Sequence, residues 1–133
     1  MTLRVMLVVP EGEVWAGNAD RVIAKTLDGD IGVLTGHTPV LGILAPGSVV
    51  RILPEGTAAS GWLQAAVGGG FLSVADDQVS ILAREAVLGA DVDKSAARAG
   101  LDEARGAAGG DQGDQAAQAN YYAAQLRAAG EEA

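Results

Sequence analysis

The sequence predicts a β-sandwich followed by an α-helical hairpin, with strands and helices segregated along the chain. From residue 3 to residue 83, short runs rich in valine, isoleucine and leucine alternate with glycine, proline or aspartate, which is typical of a sandwich or barrel. Near Leu88 the β-branched residues nearly vanish, and alanine, glutamine and charged residues replace them, as a helical segment requires. We therefore predict a β-sandwich domain over residues 1–88 and a helical hairpin domain over residues 91–133.

Six apolar runs in the first part are predicted as strands. Their alternation of apolar and polar residues is imperfect, which indicates strands covered partly on both faces and favours two packed sheets. Turn chemistry is clearest at residues 54–57, Pro-Glu-Gly-Thr, and at residues 76–78, Asp-Asp-Gln, which tolerate tight or left-handed backbone. The six runs are residues 3–9, 21–26, 48–53, 62–67, 71–74 and 79–83.

Two helices are predicted after the boundary at Leu88 to Ala90. Asp91 is expected to cap the first, with Asp93 in its first turn, and the four glycines of residues 106–113 predict a break. Asp114 is expected to cap the second helix, and Gly130 to stop it. The expected apolar faces are Ala97, Leu101, Ala104 and Ala108 on the first helix, and Ala119, Tyr122, Ala123 and Leu126 on the second.

These helical faces consist mostly of alanine, so we expect the hairpin to be weakly held. Short isolated helices are marginal in water, and this pair must lean on the β-domain or on a partner. The repetition of glycine and alanine leaves simple disorder of the tail open as an alternative.

Composition excludes several classes of function. A net charge of −8 makes nucleic acid an unfavourable partner and disfavours direct docking on anionic lipid. No cysteine and a single histidine leave little for a metal centre, so no metal site is expected. The start of the chain has no signal-peptide pattern, and no apolar run reaches the roughly 18 residues that cross a bilayer. Any membrane association is therefore expected through a protein partner.

Candidate catalytic and phosphate-binding motifs are incomplete. His37 is the only side chain that titrates naturally near neutrality, yet no neighbouring carboxylate orients it, and we interpret it as a loop histidine bonded to backbone. Residues 68–70, Gly-Gly-Gly, lead into an apolar strand and lack the lysine of a phosphate loop, so a bulge or a close backbone passage is expected. Residues 28–30, Asp-Gly-Asp, lack the further ligands of a calcium loop and are interpreted as a hairpin turn.

Several motifs in register resemble the epsilon-subunit family of bacterial F-type ATP synthases. Each is weak alone, but together they cover essentially the whole chain in the family's order. They are DGDIGVLTGHTPVL at residues 28–41, LAPG at 44–47, GGGFLSV at 68–74, VSILA at 79–83 and DVD at 91–93.

This resemblance implies a fold, partners and a surface. It implies a flattened sandwich of about ten strands that binds the gamma subunit and the c-ring, and a C-terminal hairpin that reaches the alpha and beta subunits and restrains ATP hydrolysis. Asp30 and the loop of Gly36, His37 and Thr38 fall where the family meets the c-ring. The implied function is a non-catalytic rotor subunit, without a cofactor of its own, at the cytoplasmic face of the bacterial membrane.

Two departures from the family pattern concern the hairpin. Some members bind ATP through an Ile/Leu-Asp-x-x-Arg-Ala motif that here reads VDKSAA at residues 92–97, with Val92 and Asp93 at its first two positions but Ala96 in place of arginine. Arg98 is the nearest substitute, and we expect weak or absent ATP binding, which micromolar affinity in calorimetry would contradict. After Arg105 only Arg127 is basic, against Asp111, Asp114, Glu131 and Glu132, so we expect weak or purely steric inhibition.

Two other functions stay open at this stage. A β-sandwich adaptor of unrelated function shares every architectural observation, and a pull-down with gamma separates it from a rotor subunit. An acidic hydrolase that uses His37 is the more distant alternative, and unaltered activity after His37→Ala would remove it.

Overall fold

The computed structural model describes residues 2–57, 61–106 and 112–130, of which residues 105, 106 and 112–117 are described in their backbone only. Within these ranges the chain forms nine strands, one 3-10 turn and two α-helices. The strands are β1 (Leu3–Val9), β2 (Gly12–Thr26), β3 (Gly29–Val33), β4 (Val40–Leu44), β5 (Ser48–Pro54), β6 (Leu63–Val67), β7 (Gly70–Ala75), β8 (Gln78–Ala83) and β9 (Ala86–Leu88). The 3-10 turn spans Gly89–Asp91, and the helices are α1 (Lys94–Gly106) and α2 (Gln112–Ala128).

The strands follow the order β1-β8-β7-β4-β2-β5-β6-β9, with β3 on β2 and an additional pairing between β1 and β2. β1 and β8 run parallel, and the other pairs among the described strands are antiparallel. β2 contributes to both layers of the sandwich. Its first part pairs with β1 in the first layer, which also contains β8, β7 and β4, and its second part pairs with β3 and β5 in the second layer, which also contains β6 and β9. The register shifts at Asp20, between these two parts.

The sandwich class is confirmed, and the strand count differs slightly from the expected ten. The irregularity at Asp20 divides β2 into two parts that pair with different strands. Because the backbone continues through it, β2 counts as one strand here, whereas counting its two parts separately gives ten. The sequence missed the first half of β2, together with β3, β4 and β9. β9 has only three residues, and the first half of β2 contains glycine, asparagine and aspartate, which strands disfavour.

The predicted turns are confirmed, one of them with a small displacement. Asp76 and Asp77 have φ values of 52° and 60° and join β7 to β8 as a two-residue hairpin loop, for which two positive φ values are required. Gly56 has a φ of 74° in the turn after β5. The hairpin expected at residues 28–30 turns at residues 27–28 instead, and Asp30 already lies in β3.

The core fills the space between the two layers with aliphatic side chains. Alternate residues of β1, β7 and β8 point inward, and they join the inward residues of β2 and β5 in one cluster. The largest fully buried members of the sandwich core are Leu3, Leu7, Leu44, Ile52, Leu72 and Ile81.

Asp93, and not Asp91, caps α1. The Asp93 Oδ1 atom accepts a hydrogen bond of 3.0 Å from the backbone N–H of Ala96, the third residue of the helix. Asp91 is the last residue of the 3-10 turn, which shifts the helix start two residues along the chain. The expected cap of the second helix is also displaced, because α2 begins at Gln112, before Asp114. The expected glycine break falls on residues 107–111, which lie outside the described residues, and on the helix ends beside them.

α2 packs through two faces, of which the sequence predicted one. Ala123 and Leu126 face Ala97 and Leu101 of α1, as expected, with Ala119 and Tyr122 beside them. The second face carries Tyr121, Ala124 and Ala128 and packs on β5, β6 and β9 through Val49, Ala66 and Val87. Ala108 of the expected α1 face lies outside the described residues. Gly130 follows the helix end with a φ of 90°, as predicted.

Three glycines allow α2 to approach its neighbours closely. A Cβ atom at Gly47 would overlap the backbone of Asn120, one at Gly89 would overlap the Ala128 carbonyl, and one at Gly100 would meet the Tyr122 ring. Residue 89 thus lies near residue 128 and residue 100 near residue 122, so α1 and α2 are antiparallel. The hairpin is folded back against the sandwich.

Candidate interaction surfaces

The loop between β3 and β4 contains three of the four residues singled out from the sequence. The backbone N–H of Gly36 donates a hydrogen bond of 2.6 Å to Asp77 Oδ1, which fixes this loop beside the β7–β8 turn. Gly36 itself has a φ of 80°, a backbone conformation that glycine adopts without strain. Gly36, His37 and Thr38 therefore form one defined surface at this end of the sandwich.

His37 is held by backbone, as the sequence predicted. Its Nδ1 lies 2.7 Å from the carbonyl oxygen of Thr38, so Nδ1 carries the proton that is donated. Its own N–H donates to the Leu34 carbonyl at 3.2 Å. These contacts shape an exposed loop.

Asp30 lies apart from that loop. It is the second residue of β3 and pairs with Lys25 across the β2–β3 hairpin, whereas the loop follows Val33 at the other end of the strand. Three residue steps of strand, about 10 Å, separate Asp30 from Val33. The structure does not bring Asp30 together with Gly36, His37 and Thr38, and Asp30 instead lines a cleft next to α2.

A row of exposed apolar side chains crosses the outer face of the first layer. Ile43 of β4 pairs with Phe71 of β7, Phe71 pairs with Leu82 of β8, and Leu82 pairs with Val8 of β1. Directly paired residues point to the same face of a sheet, so these four side chains lie side by side. Ile43, Phe71 and Leu82 are 49–52% exposed, while their chain neighbours Leu44, Leu72 and Ile81 are buried.

Leu27 extends this outer row beyond β4. Its N–H donates to the Ile43 carbonyl at 3.0 Å, and its side chain is exposed. Sequence reasoning missed the row, because apolar residues occupy both faces of these strands and only the pairing register shows which of them lie together. A contiguous apolar surface of this kind marks an interaction site on a soluble domain.

Residues 68–70 confirm the expected close passage of backbone. The Gly68 N–H donates to the Glu85 carbonyl at 2.8 Å, and the Arg84 N–H donates to the Gly69 carbonyl at 3.0 Å. Gly70 has a φ of 137°, and a Cβ there would overlap the Leu82 carbonyl. The three glycines therefore allow neighbouring backbone segments of the sheet to approach closely.

The residues of the degenerate nucleotide motif are engaged in the hairpin. Asp93 is the cap of α1, and Val92 packs against the cluster between the helices. Ala96, at the position where arginine would stand, is exposed, and its N–H donates to the Asp93 cap. Arg98 lies two residues further along α1, on a shallow surface with Lys94 and Asp102.

Metal-binding clusters and membrane-spanning helices are two further features that define the kind of site. No group of three or more side chains suited to holding a metal ion occurs in the described part of the chain. None of its described helices is long and apolar enough to cross a membrane.

Comparison with known proteins identifies relatives over most of the chain. Residues 2–89 match the family model of the ATP synthase delta/epsilon chain β-sandwich domain. The ATP synthase epsilon chain of Thermobifida fusca is 56% identical over 110 residues, which cover 82% of this chain and 79% of that protein. The ATP synthase epsilon chain of Frankia casuarinae is 54% identical over 88 residues, which cover 66% of this chain and 99% of that protein.

Two solved structures share the fold. A chain in the OSCP/F1/c-ring structure of the Euglena gracilis mitochondrial ATP synthase superposes with a TM-score of 0.77 at 24% identity, covering 96% of this chain and 81% of that one. A chain in the central stalk/c-ring structure of the Tetrahymena thermophila mitochondrial ATP synthase gives 0.61 at 20% identity, covering 95% and 93%.

Proposed function

The chain belongs to the ATP synthase epsilon chain family, and we propose that it is seated in the central stalk through the outer apolar row of its sandwich. It is a non-catalytic subunit of the complex. In this role it clamps the gamma subunit to the c-ring, so that torque from proton-driven rotation passes to ATP synthesis without slip.

The single observation that carries the proposal is the row Val8, Leu82, Phe71, Ile43 and Leu27. Four of these side chains come from four strands and Leu27 comes from the β2–β3 turn, and a flat apolar surface on a rigid sheet suits a large, permanent protein interface. We assign the row to gamma, because the c-ring offers polar loops and the row contains no charged side chain.

The surface for the c-ring is proposed at the β3–β4 loop, with Gly36, His37 and Thr38. The hydrogen bond from Gly36 to Asp77 supports this assignment, since it preorganises a polar loop before any partner binds. Asp30 is proposed as a second, separate contact at the start of β3. The sandwich would then meet the ring at two points, and gamma across a broad face.

The hairpin of residues 91–133 is proposed as a separable unit that reaches the alpha and beta subunits when it leaves the sandwich. Its scarcity of basic residues supports weak or steric inhibition of ATP hydrolysis. Deletion of residues 91–133 is expected to raise hydrolysis modestly; a large, salt-sensitive rise would contradict this. The protein is proposed to sit at the cytoplasmic face of the bacterial membrane, held there by its partners.

The proposal is tested by the affinity of the chain for purified gamma subunit. Phe71→Lys places a charge in the centre of the row and is expected to weaken binding at least about tenfold, since central apolar residues dominate such interfaces. Leu34→Lys is a matched control, because Leu34 is 49% exposed and Phe71 50%, but Leu34 lies in the β3–β4 loop.

The two variants also separate the two surfaces. Leu34→Lys is expected to leave the gamma affinity unchanged and to reduce recovery of the c-ring with the tagged chain. Equal loss of gamma binding in both variants, or in neither, would reject the assignment of the row. If the wild-type chain recovers neither gamma nor the c-ring, the rotor function itself is rejected.

A further inference from the structure

A cleft of about 510 Å³ opens between the second layer of the sandwich and α2. Its walls come from β2, β3, the β4–β5 connection, β5 and α2, so both the sandwich and the hairpin contribute to it. Lys25, Arg51 and Arg127 line it together with one carboxylate, that of Asp30. Three of the nine lysine and arginine residues of a chain with net charge −8 thus converge on one cleft.

Strand register places Lys25 and Arg51 on the same face. Arg51 pairs with Ile23, and Lys25 lies two residues further along β2, so Lys25 and Arg51 are diagonal neighbours on one side of the sheet. Such neighbours are about 7–8 Å apart in their backbone, within reach of a common ion for side chains of this length. The Arg51 Cζ atom lies 4.9 Å from the centroid of the Trp62 ring, which orients the guanidinium.

Arg127 reaches the same cleft from the helix. Its Nη2 donates a hydrogen bond of 3.2 Å to the Gly47 carbonyl, which fixes the guanidinium between α2 and the β4–β5 connection. A guanidinium has several N–H donors in one plane, and this contact uses one of them. The β4–β5 connection and α2 are in close contact at this point, since a Cβ at Gly47 would overlap the backbone of Asn120.

We propose that this cleft is a binding site for a soluble phosphate-type oxyanion, held by Lys25 and Arg51 of the sandwich and Arg127 of α2. Two guanidinium groups and an ammonium group present more donors than a carboxylate can accept, whereas a phosphate or diphosphate has enough oxygens for all three. Asp30 is the cross-strand neighbour of Lys25 and lines the same cleft, which keeps a net charge of about +2, counted as three cations and one anion.

The position of the cleft couples the ion to the hairpin. Because the donors belong to two parts of the molecule, an ion that contacts all three stabilises the docked position of α2 and has no complete site once α2 leaves. The site is separate from the degenerate motif of residues 92–97 and from the outer row proposed for gamma, and Asp30 is the one residue that it shares with the proposed c-ring contacts.

The test is a titration of the isotope-labelled full chain with inorganic diphosphate at low ionic strength, followed by nuclear magnetic resonance. The Gly47 amide and the Trp62 indole signals are expected to move with a saturable profile and a dissociation constant on the order of 1 mM. The Trp15 indole serves as an internal control, because Trp15 does not line the cleft. Arg51→Gln and Arg127→Gln are each expected to weaken binding about tenfold.

Arg4→Gln is the matched control, since Arg4 is an exposed arginine of β1 outside the cleft. It is expected to bind diphosphate as the wild type does. Non-saturable shifts, equal movement of both indole signals, or unchanged affinity in Arg51→Gln and Arg127→Gln would overturn the proposal. Binding to phosphatidylglycerol vesicles without binding of diphosphate would also overturn it, because the site would then serve a lipid surface.

Discussion

The sandwich and the hairpin of this chain are built from different side chains. The sandwich core consists mainly of fully buried valine, leucine and isoleucine, each of which contributes roughly 1.5–3 kcal/mol on burial. Among the side chains of the hairpin that the structure describes, Ala97, Leu101, Ala123 and Leu126 are buried between the two helices, and Ala124 and Ala128 are buried against the sandwich. Alanine buries little apolar area. The hairpin therefore depends on close approach of its helix backbones to their neighbours, whereas the sandwich depends on the burial of large side chains.

This difference suits the two tasks that we propose for the subunit, transmission of torque by the sandwich and release of the hairpin. A rigid sandwich holds its apolar row and its β3–β4 loop in fixed positions, as a torque-bearing contact requires. A hairpin that rests on alanine and glycine can leave its seat without disturbing the sandwich, because few large side chains lose their partners.

The largest expected effect is a cavity in the sandwich core. Ile81 is fully buried in β8, and Ile81→Ala is expected to lower the free energy of unfolding by about 2–5 kcal/mol. Urea denaturation measures this loss. The neighbouring Leu82 is half exposed on the outer row, and Leu82→Ala is expected to change stability by only about 0.5 kcal/mol. Equal losses in the two variants would contradict the burial pattern.

A smaller effect is expected at the seat of α2. Gly89 has no positive φ, so Gly89→Ala adds a methyl group against the Ala128 carbonyl without straining its own backbone. Overpacking of this kind costs about 1–3 kcal/mol, and we expect it to undock α2 while the sandwich stays folded. Hydrogen exchange should quicken in α2 alone. Gly32→Ala, where a Cβ meets open space, is the control, and a sandwich that also loosens would refute the separation.

A still smaller loss of stability, confined to one helix, is expected from removing the N-terminal cap of α1. Asp93→Ala removes the acceptor of the Ala96 N–H and is expected to cost about 1 kcal/mol of helix stability, visible as lost helical circular dichroism on heating. Asp91→Ala is the matched control, since Asp91 belongs to the 3-10 turn. If Asp91→Ala were the more damaging change, the helix would begin where the sequence predicted.

The smallest effect appears only at alkaline pH. Burial, then the charge of Glu85 and the neighbouring Tyr122, raise the pKa of Tyr121 from 10.0 to about 12. The folded protein therefore favours the neutral phenol, whose contribution is complete below pH 10 and is lost as pH rises through 12. Tyr121 is only half-buried, so solvent screening keeps the effect modest. Tyr121→Phe should abolish this loosening of α2, measured by hydrogen–deuterium exchange; an identical loosening in Tyr121→Phe would exclude Tyr121 as its cause.

Local chemistry in the sequence predicted the features that depend on neighbouring residues. The Asp76–Asp77 turn, the glycine passage at residues 68–70 and the Ala97 and Leu101 face of α1 were all predicted correctly, because each is encoded within a few positions. The choice between Asp91 and Asp93 as the cap failed, since both have the required carboxylate and only the intervening 3-10 turn distinguishes them.

Features that depend on long-range pairing were not predictable. The outer row joins Val8, Ile43, Phe71 and Leu82 through register, and the basic cleft joins Lys25, Arg51 and Arg127 from distant parts of the chain. The sequence also treated Asp30 and the loop at Gly36–Thr38 as one edge, and the intervening strand β3 separates them. The second face of α2 was missed, because Tyr121, Ala124 and Ala128 can be identified as a contact surface only when the position of β6 is known.

Native-state hydrogen exchange on the wild-type chain tests the central claim most directly, because it reports the opening free energy of each element separately. We predict that amides of β1, β7 and β8 exchange only through global unfolding, while those of α1 and α2 exchange through a separate opening of much lower free energy. Equal opening free energies for helices and strands would show one cooperative unit and contradict the account of a stable sandwich with a releasable hairpin.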